Sequence, residues 1–506
     1  MPAANCSVDK SHTLSDSHAF PAYAHPATGP VFGGSTDVLI NSRPSSAHRR
    51  TTIKKSIAFA GIYGAAMLAL VSCAPPVSEQ KSELDRELRQ TLDDYSPTGS
   101  YTGFRLPDSN DYAAIPNQDP KNPVTAAKVE LGKMLFFETG LALEPFDPEF
   151  KGTFSCGTCH IPSRGFTAGR FQGVGDGALG FGESGEGRHK NPFYGVENLD
   201  VQGARPLPVI NTAYVTNALW AGAFGSFGVN AGTESAWHRD PLTEINFKGL
   251  MGLEANNERA LIVHRLLIDK EVTDSLGYTS MFDKAFPELP ESERYTRTTG
   301  SFAISAYFRT ILTNEAPFQK WLRDDSAAMT EQQKRGALLF FGKAECAKCH
   351  NSPSLNTLPH QFYALGVKDL YQTGYEVFGT SNRDNRTLGR GGFTGRAEDI
   401  YKFKVPQLYN LKDMGFYFHG ASQTTLRQVV EYFNDGIPEN PRIPASQITT
   451  LFHPLNMTSD EIDDLVEFLE NGLYDPNLAR YMPTSVKSGS CFPNNDKESR
   501  IDMGCL

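Results

Sequence analysis

Apolar residues recur at helical spacing in several short stretches, and two of these stretches are copies of one another. Leu131-Gly132-Lys133-Met134-Leu135-Phe136-Phe137 and Arg335-Gly336-Ala337-Leu338-Leu339-Phe340-Phe341 each close a helical pattern on a pair of phenylalanines. The same spacing marks Ser301 to Thr313, and Asn257 to Asp269 through Leu261, Ile262, Leu266 and Leu267. Nearer the C-terminus, Thr425 with Gln428 and Thr458 with Glu461 form capping boxes. They open helices that put Leu426, Val429, Val430 and Phe433 on one face in the first, and Ile462, Leu465, Val466 and Leu469 inward in the second. Tyr432 falls off that face. Strand patterns are few, so the predicted class is mainly α with long loops.

The start of the chain reads differently. Residues 1 to 52 are rich in Ser, His, Ala, Pro and Gly without apolar periodicity, the composition of a disordered leader. Arg49, Arg50, Lys54 and Lys55 then precede an apolar run, Ile57 to Val71, of signal-peptide length and short for a membrane span. It ends in Leu70-Val71-Ser72-Cys73, which resembles the lipobox of bacterial lipoproteins, where the thiol takes a lipid. A short buried helix ending in Cys is the alternative. No Met lies between Met1 and Met67, so a start codon other than Met's before Lys54 fits a signal placed this late. Residues 73–110 are expected to be a polar tether, with Leu84, Leu88 and Leu92 in a solvated amphipathic segment. The body is then expected on the periplasmic side of a bacterial membrane, lipid-anchored through Cys73 and outside the cytoplasm.

A chain of 506 residues is long for one core and suggests two or three domains. A net charge of -10 without long basic runs argues against nucleic acid, while leaving room for a basic protein partner. The chemistry concentrates in Cys156-Gly157-Thr158-Cys159-His160 and its repeat Cys346-Ala347-Lys348-Cys349-His350. Each thiol can add to one vinyl group of a porphyrin, and the adjacent imidazole becomes the proximal ligand on iron. A Cys-x-x-Cys redox pair gives no reason for His160 and His350, and zinc would need ligands from distant parts of the chain. Two covalently bound haem c groups are therefore expected. Of the eight cysteines, Cys73 is assigned to lipid and Cys6 leaves with the leader. Cys491 and Cys505 remain, and an oxidising compartment would pair them as a disulfide closing the tail, 481–506; two free thiols are the alternative.

After the first motif, Gly173 to Gly187 holds seven glycines and no Lys-Ser/Thr ending. A flexible wall over a haem face suits it better than a phosphate cradle, because glycine lets backbone approach closely.

The two motifs, the Leu-Phe-Phe helices before them, Asn211-Thr212-Ala213-Tyr214 with Trp220 nine residues after Asn211, Phe403-Lys404-Val405-Pro406-Gln407-Leu408-Tyr409-Asn410 and Phe418-His419-Gly420 form an ordered set. This set, from about residue 111 to 472, resembles the di-haem bacterial cytochrome c peroxidase superfamily, which includes the enzyme that matures tryptophan tryptophylquinone. The resemblance implies two tandem cytochrome c-like domains, 111–328 with the peroxide haem and 329–480 with an electron-storing haem. It implies Trp220 as a bridge between them, core packing being the alternative. It also implies Glu254 as the carboxylate that moves a proton between peroxide oxygens, with Glu258 one turn later as the second choice and a solvated helix-start carboxylate as the alternative.

Several positions depart from the family pattern. Ala221-Gly222-Ala223 follows Trp220 in place of Asp-Gly-Arg. Phe433 stands where the second haem takes Met or Tyr, leaving Tyr432, Met457 or no ligand. Arg205 stands where an Asn contributes to a calcium site, so calcium is possible only with a different ligand set. Asp176 stands where a histidine closes the first haem in members that need prior reduction, so this haem is expected open, His189 being the nearest replacement. The leading function is reduction of hydrogen peroxide to water with electrons from a small periplasmic electron-donor protein such as a cytochrome c. The alternatives are a di-haem oxidase modifying a protein or organic partner, and a pure electron-transfer cytochrome.

Overall fold

Eight helices position the candidate site. They are α1 (Val77–Tyr95), α2 (Ala126–Phe137), α3 (Gly252–Val263), α4 (Arg297–Thr310), α5 (Glu331–Phe341), α6 (Leu426–Asp435), α7 (Ser459–Glu467) and α8 (Lys497–Asp502). The computed structural model describes residues 77–505. The leader, the signal segment and Cys73 lie outside the described residues. Shorter helices connect them, and the strands form two antiparallel ribbons among the described residues, β1 (Ala178–Leu179) with β2 (His189–Lys190) and β3 (Phe362–Tyr363) with β4 (Phe403–Lys404). The mainly helical class is as expected. Among the described residues no helix is long and apolar enough to cross a membrane.

The repeated sequence packs in a repeated way. α2 lies against α4 and α5 against α7, and each contact passes over the glycine of its repeat. A Cβ on Gly132 would overlap the Ala303 carbonyl, and one on Gly336 would overlap that of Asp464. The phenylalanines that follow, Phe136, Phe137, Phe340 and Phe341, are fully buried in one apolar core that runs through both halves. Both predicted capping boxes form, Thr425 with Gln428 on α6 and Thr458 with Glu461 on α7.

Three expectations change. The tether is a packed element: Leu88 and Leu92 of α1 are fully buried, and Asp85 accepts from Trp321 Nε1 and pairs with Lys334, both at 2.6 Å. The spacing of those leucines signalled burial, which the polar residues between them obscured. On α6, Tyr432 is buried while Val429 and Phe433 are half-buried, because the Tyr432 hydroxyl donates to the Leu365 carbonyl at 2.7 Å. Finally, α3 begins at Gly252 and ends at Val263, leaving Ile262 exposed.

Candidate functional site

Both Cys-x-x-Cys-His motifs fold into a single 3₁₀ turn, with the histidine immediately beyond it. His160 Nδ1 lies 3.0 Å from the Phe166 carbonyl and His350 Nδ1 lies 2.6 Å from the Leu355 carbonyl. A carbonyl only accepts, so Nδ1 carries the proton in each ring and Nε2 keeps its lone pair for a metal. The two accepting residues share a left-handed backbone, φ 57° at Phe166 and 54° at Leu355, a conformation seldom held by bulky side chains except where the surroundings impose it. Burial pulls both imidazoles down to about 4, with His264 adding to the effect at His160. Both rings are therefore neutral at physiological pH, the form that binds iron.

Cys156, Cys159, Cys346 and Cys349 are all free. Burial pushes Cys156, Cys159 and Cys346 up to about 12, the opposite of the lowered thiol pKa on which a redox Cys-x-x-Cys pair depends. Free thiols beside an imidazole with an available Nε2 fit covalent haem c.

Trp220 lies where the halves meet. Its Nε1 donates to the Arg205 carbonyl and its own carbonyl accepts from Lys404 N, both at 2.8 Å, while its ring meets His419 edge-on at 6.2 Å. His419 in turn stacks on Phe403 and bonds Asp369 at 3.1 Å.

Glu254 is fully buried in a paired ionic contact. Arg309 Nη2 donates to its Oε2 at 2.9 Å, and Oε1 accepts from both Arg309 Nη1 and Asn122 Nδ2. Glu258 pairs instead with Lys248. Arg309 sits at the end of an apolar helix pattern and carries no motif of its own, so nothing in the sequence marked it as the partner.

Other assignments shift. Asp176 is fully buried and accepts from Phe146 N at 2.9 Å, Tyr194 Oη at 2.8 Å and Arg265, so it ties loops together. His189 is exposed and bonded to the Gly187 carbonyl at 3.0 Å. The imidazole near the first motif is His264, whose Nδ1 bonds Asp200 at 2.9 Å. Burial alone would lower its pKa, but the charge and hydrogen bond of Asp200 outweigh that and raise it. Spacing from His160 could not reveal it, since it arrives from the end of α3. At the second motif Met457 is buried in the main core and the Tyr432 hydroxyl is committed to Leu365.

The Arg205 guanidinium donates to the carbonyls of Arg170 at 2.9 Å and Met414 at 2.8 Å. A calcium ligand set does not fit around this cation. Among the described residues no group of three or more His, Cys, Asp or Glu side chains could hold a metal ion. Cys491 and Cys505 are joined by a disulfide, with Cα atoms 5.9 Å apart.

A family model for di-haem cytochrome c peroxidase matches residues 126–327. The methylamine utilization protein MauG of Methylorubrum extorquens is 30% identical over 377 residues, covering 74% of this chain and 84% of that protein. The cytochrome-c peroxidase IdrP1 of Denitromonas iodatirespirans is 29% identical, covering 69% of this chain and 82% of its own. A solved MauG-like protein associated with microbial copper homeostasis has the same fold, with a TM-score of 0.51 at 23% identity over 74% of this chain and 95% of that one. The chain therefore belongs to the di-haem cytochrome c peroxidase family of oxidoreductases, with MauG among its relatives.

Proposed function

We propose that this protein is a di-haem peroxidase that reduces hydrogen peroxide to water with electrons from a small electron-donor protein such as a cytochrome c. Cys156 and Cys159 attach one haem c and Cys346 and Cys349 the other, with His160 and His350 as proximal ligands in N-terminal (111–328) and C-terminal (329–480) haem domains. The observation that carries this reading is the matched pair of imidazoles, each with Nδ1 fixed on a carbonyl and Nε2 free. Cys73 anchors the protein by lipid on the periplasmic side of the membrane.

When bound, the haems supply an iron at which peroxide is cleaved and a second iron that stores an electron. The remaining work falls to side chains. The Phe166 and Leu355 carbonyls hold the Nδ1 protons and make each Nε2 a stronger donor. Glu254 moves the proton between the peroxide oxygens. Its Oε1 is anchored twice while Oε2 has Arg309 Nη2 as its hydrogen-bond donor, so Oε2 is the oxygen that can exchange. Trp220 carries electrons across the junction. Its N–H points at a carbonyl, which cannot take up a proton, so the indole keeps that proton as electrons pass.

The test is peroxide-dependent oxidation of a reduced cytochrome c, beside a haem count by pyridine haemochrome. Two haems per chain and steady oxidation are expected; one haem or none, or no oxidation, defeats the reading. The similarity to MauG, with Leu219 45% exposed beside half-buried Trp220, favours oxidation of a protein partner as the second reading. In that case peroxide consumption would depend on the partner and not on cytochrome.

A further inference from the structure

The C-terminal tail folds back over the first haem motif and the glycine-rich segment beside it. Ser155 Oγ and Thr158 Oγ1 donate to the Pro493 carbonyl at 2.9 and 3.3 Å, and a Cβ on Gly157 would meet Pro493 at 2.8 Å. The residues between the two cysteines are thus covered by the tail. Three residues on, Asp496 forms an ion pair with Arg188 at 2.9 Å, with both side chains almost fully buried at 2% and 4% exposure.

Arg188 is the fastener of the glycine-rich segment. Its Nε donates to the Val174 carbonyl at 3.0 Å, Nη2 to Gly175 at 2.8 Å and Nη1 to Gly180 at 3.3 Å. The tail completes the closure by accepting from the segment's own amides: Asp496 from Gly180 N at 3.0 Å, and Asp502 from Phe181 N at 2.7 Å and Gly182 N at 2.8 Å. The segment reaches the haem-attachment thiol, since a Cβ on Gly173 would lie 3.0 Å from Cys159 Sγ. The Cys491–Cys505 disulfide brackets the residues that make these bonds.

We propose that the tail is a clasp that positions the glycine-rich segment against the first haem-attachment edge, with Asp496 acting through Arg188 as the positioning residue. The segment has glycine's freedom to open, and a buried cation holding three carbonyls would be poorly compensated without Asp496. The disulfide closes Pro493, Asp496 and Asp502 into one loop, so reducing it loosens all three grips, whereas a substitution at one residue loosens its own. The haem part of this inference rests on the attachment sites proposed above; the clasp itself does not.

The experiment uses the full-length holoprotein. Asp496→Asn and the double variant Cys491→Ser/Cys505→Ser are compared with wild type by hydrogen exchange over residues 173–187 and by redox titration of both haems. Exchange in that segment is expected to rise at least about tenfold, as local opening becomes easier. The midpoint potential of the first haem should fall as its edge meets water, while that of the second stays fixed. Asp502→Ala, at an exposed site, is a milder variant should Asp496→Asn not fold; it should open residues 180–183 alone. Unchanged exchange in the variants that fold overturns the clasp, and faster exchange with neither haem potential altered overturns its positioning role. Neither readout depends on peroxide turnover, so a failed peroxidase assay leaves this result standing.

Discussion

The two halves share a backbone plan and differ in the side chains placed on it. The left-handed residues Phe166 and Leu355 hold the two imidazoles, and Gly132 and Gly336 pass under the two crossing helices. The bridge between Ala218 and Phe224 has its counterpart between Tyr417 and Gln423, which makes Trp220 and His419 equivalent positions. Arg205 and Lys404 are equivalent too: Arg205 N donates to the His419 carbonyl, and Lys404 N donates to the Trp220 carbonyl, both at 2.8 Å. Each puts a buried cation on backbone carbonyls, Lys404 on Asn217 at 2.7 Å. The covers differ as well: the tail buries Gly157 and Thr158, whereas Lys348 in the second motif is exposed. The two halves thus share backbone contacts and differ in the side chains those contacts carry, Trp220 against His419 and Arg205 against Lys404.

The comparison breaks hardest at the attachment cysteines. Cys346→Ala/Cys349→Ala should leave one haem per chain and abolish cytochrome-driven turnover. Cys156→Ala/Cys159→Ala should also leave one haem but remove the reaction with peroxide itself. Loss of both haems from either variant would show that the halves do not mature independently.

Next comes Glu254, fully buried against Arg309 in the first half. Glu254→Gln should slow peroxide cleavage by a factor of about 100. It should also lower stability by about 3 to 5 kcal/mol, because Arg309 is left as an unpaired buried charge. Thermal unfolding and stopped-flow mixing separate these effects. Lost stability with turnover intact would make the pair purely structural. The oxidised wild type should show a high-spin ferric electron paramagnetic resonance signal from the first haem, since Asp176 is tied to Tyr194 and Arg265. A wholly low-spin spectrum that turns high-spin in His264→Ala would identify His264 as closing the site.

Much of this was legible in the sequence because it rests on local spacing. The haem motifs, the Leu-Phe-Phe repeat and both capping boxes need only residues within a turn or two of each other. The partners of the functional residues were not legible, because they arrive from distant positions. Arg309 reaches Glu254, Asp200 reaches His264 and Asp496 reaches Arg188 across long separations, and none of these contacts has a periodic signal. Burial is hard to read where polar residues flank a narrow apolar stripe, as at Leu88 and Leu92. The glycine-rich segment looks like a flexible wall in the sequence for the same kind of reason: the glycines are local, while the tail that fastens them is not.

Lys404 and Arg205 sharpen the comparison by pH. Burial pulls Lys404 down to about 7 and Arg205 only to about 9, so near neutral pH Lys404 is losing its proton while the guanidinium keeps its charge. Between the folded value and the ordinary lysine value the unfolded chain holds a proton that the folded chain has lost. Stability therefore rises with pH across that window, and the full penalty is present below it. From pH 7 to 9 the rise should be about 2 kcal/mol, and Lys404→Met should remove it from the pH dependence of denaturant unfolding. Equal slopes in wild type and variant would mean that Lys404 is charged in the folded protein across the whole range.

The smallest expected effect concerns the first cation. Its guanidinium already bridges the Arg170 and Met414 carbonyls, and its own carbonyl orients Trp220. A bound calcium ion would do similar work by gathering oxygens, so chelation tests whether Arg205 does it alone. Calcium chelation should leave the haem spectra and turnover of the wild type unchanged. Arg205→Asn keeps the backbone carbonyl that accepts from Trp220 but frees the carbonyls that the guanidinium had gathered. Electron passage between the haems should slow by about tenfold as the indole loses its fixed position, with haem content intact. Metal analysis of the chelated and untreated protein completes the test. If a chelator withdraws stoichiometric calcium and slows the wild type as much as Arg205→Asn does, the arginine is not the cation that joins the halves.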